Sequence, residues 1–348
     1  MQRRYDLIVI GGGIAGVFAS YCGIKHGLKV ALVEASDKPN GATARSGGII
    51  TRMLDRDEDI LLAVESMKLI KELLGRDAKN TLKYGYLSIE EEEDAIKDYK
   101  KYLAVIPDIK ILYEDEIKDR WPYINIYEDE VGLYSPSDFT VNPKQLLSIL
   151  WERIRDLGVE LISGRVAERI LIADRSVKGV LLNDQSLLRS DYVVIAMGAW
   201  ANEFLSKHGV RIRSWMISIP LYHFKVDNTE LIGVWDDENY SYWRPDVDGV
   251  IAGGGYDAYP ISDPEEGFAR PPVKSLYYAL ELFKYRFNFK SWRLIDCWSG
   301  PVNVSSTYSP VAEEVRKIGG LYVIYGLSGY GLIWGPSLAY RLVLRIMS

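Results

Sequence analysis

The segment Leu7-Ile-Val-Ile-Gly-Gly-Gly-Ile-Ala-Gly16 constrains this chain more than any other. A continuous apolar run from Tyr5 to Ile10 reads as a buried parallel strand, and it stops at three glycines. Ile14, Val17, Phe18, Tyr21, Cys22 and Ile24 then recur at helical spacing. Gly27 ends that pattern, and Lys29 to Val33 is a second buried strand closed by Glu34. In such a strand-helix-strand unit the spacing Gly11-x-Gly13-x-x-Gly16 has a physical use. Gly11 permits the tight turn, Gly13 lets a pyrophosphate approach the backbone at the positive helix N-terminus, and Gly16 lets the helix lie close on the strand. Glu34 is placed to accept both ribose hydroxyls and repels a 2′-phosphate. The unit points to dinucleotide binding, the alternative being a plain glycine turn; it does not separate NAD from FAD.

Further along, Gly41-Ala-Thr-Ala-Arg-Ser-Gly-Gly-Ile-Ile50 combines hydroxyls, one arginine and paired glycines, which suits threading an extended cofactor past a loop; a bland surface loop is the alternative. Residues 58–74 carry a helical apolar stripe closed by Gly75, and Glu90 to Lys101 reads as a solvated amphipathic helix. Asn142-Pro143 is an N-cap with proline at the first helical position, opening a helix that runs to Gly158. Strands at Val159 to Ile162, Arg165 to Ala173, Val177 to Leu182 and Tyr192 to Ala196 follow. From Ile217 to Gly254 the pattern changes to alternating strands, which suggests an antiparallel sheet. Pro271-Pro272 opens a long helix, Leu321 to Tyr325 is a strand, and a last helix runs from about Gly331 to Ile346.

At 348 residues the chain has room for about two domains at roughly 150 residues each. Its net charge of −6 gives no electrostatic footprint for nucleic acid or an anionic membrane. The two cysteines are far apart and the three histidines show no ligand spacing, so no metal site is expected, and a reducing, cytoplasmic setting fits best. The N-terminal apolar run meets glycines too early for a leader peptide or a transmembrane helix.

Four separated blocks together resemble the D-amino-acid oxidase superfamily, which includes glycine oxidase and the sarcosine oxidases. They are Asp6 to Gly16, Gly41 to Ile50, Ala196-Met-Gly-Ala-Trp200, and Gly326-Leu-Ser-Gly-Tyr-Gly331 ahead of the last helix. The resemblance implies an α/β fold in which a Rossmann-like FAD-binding domain (1–84, 141–216 and 296–348) is interleaved with an antiparallel-sheet substrate domain, or cap (85–140 and 217–295). It implies FAD contacts from Gly11, Gly13, Ile14, Ala15, Gly16, Glu34 and Ala35, and a path past Thr43, Ala44, Arg45, Ser46, Gly47 and Gly48. Val166 would meet adenine through its backbone. Ala196, Gly198, Trp200 and Gly300 would approach the cofactor, and Gly326, Ser328, Gly329, Tyr330, Gly331 and Leu332 would pass the flavin ring. Negative charge near flavin N1 would be stabilised by the N-terminus of the last helix, unless that segment is an ordinary strand-to-helix turn.

Departures from the family bear on mechanism. A lysine that holds the substrate carboxylate in monomeric sarcosine oxidases is replaced by Ile333. A lysine that promotes reaction with oxygen would fall near Gly253, and a flavin-tethering cysteine near Val304. FAD is therefore expected to be non-covalent, with an electron acceptor other than oxygen. Candidate substrate contacts are Arg52, Tyr242, Arg244 and Tyr330. Tyr242-Trp243-Arg244-Pro245, followed by Gly249 and Gly253-Gly254-Gly255, resembles the family's substrate strands. Arg244 either pairs with a carboxylate or covers apolar surface with its stem. Tyr330 either donates a hydrogen bond or packs.

The expected function is oxidation of the C–N bond of an amino acid or secondary amine, of glycine, sarcosine, proline or D-amino-acid type, by hydride transfer to flavin N5. That chemistry needs positioning more than a dedicated base. Three alternatives stay open: an FAD-dependent 2-hydroxy-acid dehydrogenase, an FAD-carrying subunit of a dye-linked dehydrogenase, and a plain NAD dehydrogenase. A partner subunit or a homo-oligomer is compatible with all of them. Aromatic residues make up 12% of the chain and more than half of them fall in the two cap segments, where Tyr242, Trp243 and their neighbours are candidates to line a dry pocket.

Overall fold

The computed structural model describes residues 3–227, 230–254 and 257–348. The strand predicted before the glycine turn is Leu7–Ile10, fully buried, and its partners make it the centre of a six-stranded sheet. The order is Val311–Glu314, Leu321–Tyr325, Val193–Ile195, Leu7–Ile10, Val30–Val33 and Glu160–Ile162. All neighbours run parallel except the first pair, which supplies an antiparallel edge. A parallel sheet needs both faces covered. The helices Ile14–Lys25, Pro143–Asp156 and Gly331–Met347 cover one face, burying Val9, Phe18, Leu32, Leu146 and Leu342 together. A four-stranded sheet including Ala167–Ala173 and Ser176–Leu182 covers the other, burying Ile8, Ile10, Val180 and Val193.

The helix ends follow local chemistry. Asn142 Oδ1 accepts from the Gln145 amide at 3.1 Å with Pro143 in the first turn. Gly27 sits at φ +85° just beyond Lys25.

The second layer is a ten-stranded sheet. Its main path is Tyr259–Ile261, Ser214–Val226, Gly249–Gly254, Ser241–Asp246, Gly233–Asp236, Lys83–Glu91, Glu130–Thr140 and Ile49–Ile50. Trp292–Ser305 pairs with Ser214–Val226, and Lys110–Leu112 with Glu130–Thr140. Only Gly233–Asp236 against Lys83–Glu91 is parallel. Side-chain alternation divides its residues. Leu87, Val234, Trp243 and Phe224 face the helix Val273–Arg286, in an aromatic core with Phe283, Phe287 and Phe289. Trp243 is 1% exposed and meets Phe287 edge-on at 4.8 Å. It therefore belongs to the core rather than to the pocket where the sequence placed it beside Tyr242. Arg286 is fully buried under this face, held by Glu130 and Asp236 at 2.7 and 2.8 Å. Tyr86, Tyr242 and Arg244 alternate onto the opposite face, where Tyr242 and Arg244 meet the glycine loop at residues 41–48.

Candidate active site

The glycine turn is as tight as its spacing requires. Gly11 has φ +106°, and a methyl there would stand 2.4 Å from the Ala196 carbonyl oxygen. A methyl on Gly16 would stand 1.8 Å from the Gly11 oxygen, so the helix lies on the strand at a distance that only glycine allows. Gly13 is different: a methyl would meet only Thr43 Oγ1, at 3.4 Å. That leaves an open cradle ahead of the first helical amides. Ile14 N donates to Thr43 Oγ1 at 3.2 Å, which ties the loop at residues 41–48 to the helix N-terminus, and Ala15 is buried in the following turn.

Glu34 closes its strand as expected. Its Oε2 accepts from Gly12 N at 2.7 Å and its Oε1 from Ser36 N at 2.9 Å, fixing the carboxylate at the mouth of the turn with lone pairs left for ribose. Ala35 beside it is exposed. Val166 lies next to Arg165, whose amide donates to the Glu34 carbonyl at 3.1 Å. Both backbone groups of Val166 already pair with Asn183, so an adenine contact there falls to the second lone pair of its carbonyl.

The loop at residues 41–48 contains the turn Thr43–Arg45, through Ala44, with Ser46 Oγ donating to the Thr43 carbonyl at 2.9 Å. Arg45 spans toward the ten-stranded sheet. It lies over the Phe268 ring at 4.5 Å, reaches the Ser299 carbonyl only at 3.4 Å, and keeps a buried Nε with no partner among the described residues. Gly300 is the residue it passes: a methyl there would meet Arg45 Cβ at 3.4 Å. Gly198, at φ +54° just past Ala196, faces open space, and Trp200 donates to Glu265 at 3.3 Å.

Gly326 and Ser328 are tied to Asn303, the amide of Gly326 donating to Oδ1 at 2.8 Å and that of Ser328 to the carbonyl at 3.0 Å. Ser328 and Gly329 take φ +49° and +91°, a bend that aims the amides at the start of Gly331–Met347, including Gly331 and Leu332, out of the turn. The open cradle at Gly13, the empty space at Gly198 and the unpartnered Arg45 Nε fit an extended dinucleotide running from Glu34 to this helix.

Four residues were expected at the substrate side. Arg52 is committed elsewhere: its backbone amide and Nε both donate to Asp138, at 3.0 and 2.7 Å, and Nη1 donates to the Val105 carbonyl at 2.9 Å. It braces the Glu130–Thr140 strand and is not a cation available to a substrate. Tyr330 caps the last helix and stacks on Trp334 at 4.5 Å. Tyr242 lies between Gly47 and Gly253, and burial pushes its phenol up to about 12. Arg244 is 3% exposed, with its Nε beside Gly48 and without a partner among the described residues. Its Nη1 donates to the Pro245 carbonyl at 2.9 Å and stands 3.6 Å from Asp246. Burial lowers its pKa, opposed by Asp246. The stem of Arg244 does not lie on the surface. Gly255 is outside the described residues.

Sequence reasoning missed Tyr86. This side chain is 3% exposed and shares the face of Tyr242 and Arg244. Burial raises its phenol, with Asp138, Tyr330 and Tyr242 adding to the effect.

The family model described as FAD dependent oxidoreductase matches residues 6–344. Monomeric sarcosine oxidase of Bacillus sp. strain B-0618 is 25% identical over 257 residues, 70% of this chain and 60% of that protein. The formaldehyde-forming 4-methylaminobutanoate oxidase of Paenarthrobacter nicotinovorans is 22% identical, covering 98% of this chain and 43% of that protein. The chain thus spans less than two thirds of the length of these two relatives. The solved structure of L-proline dehydrogenase from P. horikoshii superposes with a TM-score of 0.86 at 22% identity, over 99% of this chain and 94% of that one, which shows a shared fold. No helix among the described residues is long and apolar enough to cross a membrane. A match that begins at the strand before the glycine turn and ends in the last helix makes the chain a member of the FAD-dependent oxidoreductase family, with FAD as its cofactor.

Proposed function

We propose that the chain oxidises the C–N bond of a small amine bearing a carboxylate, an amino acid or secondary amine of glycine, sarcosine, proline or D-amino-acid type. Bound FAD, held without a covalent bond, supplies the hydride acceptor at N5, and the imine formed from the substrate hydrolyses in water. The protein's task is then to orient the α-carbon and exclude water. In this reading residues 85–140 and 217–295 act as the cap.

The observation that carries the reading is Arg244. A buried guanidinium with an unpartnered Nε costs stability, and one carboxylate at 3.6 Å compensates it only in part. A substrate carboxylate beside Gly48 completes it. Tyr242 and the Tyr330–Trp334 stack supply aromatic walls. The names of two relatives, sarcosine oxidase and L-proline dehydrogenase, both denote secondary amines that carry a carboxylate, which agrees with such a clamp.

Arg244→Ala tests this. Loss of a charge-assisted contact worth about 1.5–3 kcal/mol raises KM for an acidic substrate about 10- to 100-fold and leaves a matched neutral amine nearly unchanged. Equal effects on both reject the role.

A further inference from the structure

We propose that the short helix Pro264–Phe268 is a latch that retains FAD, its Phe268 ring closing on Arg45 at one side of the cofactor path and on Trp200 at the other. This rests on the reading that Arg45 and Trp200 border the path of FAD.

Local chemistry shapes the helix. Asp263 Oδ1 accepts from the Glu265 amide at 2.8 Å with Pro264 at the first position, and the Ser262 amide donates to Glu266 Oε2 at 2.9 Å. Its buried residues, Pro264 and Gly267, seat it on the ten-stranded sheet. A methyl on Gly267 would stand 2.5 Å from Pro301 Cβ, and the Gly267 carbonyl accepts from Ser218 Oγ at 3.4 Å.

Phe268, the next residue, reaches two segments far apart in the chain. The Arg45 guanidinium lies over its ring at 4.5 Å, and the Trp200 ring stands 5.9 Å from it. Trp200 Nε1 also donates to Glu265 Oε1 at 3.3 Å, so the same short helix holds the indole twice. A cation over an aromatic face is held more strongly as water is excluded, and Arg45 is half-buried. Its other contacts are weak. Nη1 and Nη2 reach Ser299 and Asn40 only at 3.4 Å, and Nε is buried without a partner among the described residues. The Phe268 ring is therefore the main support of a guanidinium that keeps a donor free for an anion.

The place of this contact gives it a use. Arg45 stands two residues after Thr43, which is bonded to the first helical amide beside the Gly13 cradle, and two before Gly47, which lies against Tyr242. On the Trp200 side, Gly198 faces open space. A ring that joins these two segments bridges the opening between them and must let go before FAD leaves. With no covalent bond to the flavin, the bridge sets the rate of release.

The test follows FAD release, by the gain in flavin fluorescence on dilution, from wild type, Phe268→Leu, Phe268→Tyr, Glu265→Ala and Arg45→Ala, with each apoprotein's melting temperature measured alongside. Phe268→Leu fills the space but offers a cation no aromatic face. It is expected to speed release about 5- to 30-fold while its apoprotein melts near wild type. Phe268→Tyr keeps the face and is expected to release FAD within about twofold of wild type. Glu265 is exposed, so Glu265→Ala still answers if Phe268→Leu is unstable, and losing its bond to Trp200 is expected to speed release about 2- to 10-fold. Faster release from Arg45→Ala with unchanged release from Phe268→Leu and Glu265→Ala overturns the latch and leaves the cofactor path standing, and release from Phe268→Tyr as fast as from Phe268→Leu also overturns it. If Arg45→Ala releases FAD as wild type does, Arg45 does not border the path, and that reading falls with the latch.

Discussion

The Tyr242 ring lies so close to Gly47 that a methyl group on that glycine would stand 2.2 Å from Cε2. On its other side the same ring meets Gly253, where a methyl would stand 2.5 Å from the phenol oxygen. Two glycines thus hold one ring, and it joins the loop at residues 41–48 to the strands Ser241–Asp246 and Gly249–Gly254. Arg244, two residues on, presses on Gly48 of the same loop, where a methyl would stand 3.0 Å from Nε.

This contact gives a mutational cycle. Gly47→Ala drives a methyl into the ring, an overpacking that costs about 1–3 kcal/mol, so reconstitution of the apoprotein with FAD weakens about 5- to 100-fold. In a Tyr242→Ala background the same substitution meets open space and costs far less. FAD dissociation constants from flavin fluorescence measure the coupling. Strict additivity shows that the loop and ring are independent.

The space beside Gly253, where a side chain on that strand would stand, is filled by the Tyr242 phenol rather than by a cation. Turnover with an artificial dye is therefore expected to exceed turnover with oxygen at air saturation. Rapid peroxide formation in an oxygen-electrode or peroxidase-coupled assay contradicts that expectation.

Glu90 provides a pH test. It is 8% exposed, accepts from Ser88 Oγ at 2.5 Å, and burial pushes its carboxyl up to about 7, with Asp98, Asp237 and Asp94 adding to the rise. The fold binds this proton more tightly than the unfolded chain does. Its contribution is full below the ordinary value of 4.5 and is lost as pH rises to about 7. The loss is about 3 kcal/mol at most. Glu90→Gln keeps the acceptor for Ser88 and removes the titration. The variant should equal wild type near pH 4 and exceed it by about 1–3 kcal/mol at pH 8 in denaturant unfolding. Parallel stability curves contradict the assignment.

The parts legible in the sequence are those with local causes. The glycine turn, Glu34, the Asn142 cap and the last helix each depend on residues within a few positions, and they stand where their spacing put them. What escaped depends on partners far along the chain. Arg52 adjoins the cofactor loop in sequence, but Asp138 takes its guanidinium. Trp243 neighbours Tyr242, yet the twofold alternation of a strand turns it into the opposite core. Tyr86 lies in Lys83–Glu91, a strand to which the sequence pattern pointed nowhere, and the residue beside it, Gly233, comes from a distant strand. The available signal was Gly233 itself, the first residue of its strand, over which the Tyr86 ring lies closely. The strand Trp292–Ser305 was hidden by Arg293, Asp296 and Pro301.

The most direct measurement is anaerobic titration of the FAD-loaded protein with a panel of amino acids, N-methyl amino acids, proline, decarboxylated amines and 2-hydroxy acids, following the loss of flavin absorbance. Saturable bleaching by a carboxylate-bearing amine, with the carbonyl product of imine hydrolysis in equal amount and no bleaching by its decarboxylated counterpart, is the predicted result. Bleaching by hydroxy acids alone would contradict it, as would bleaching that appears only when a second protein chain is present.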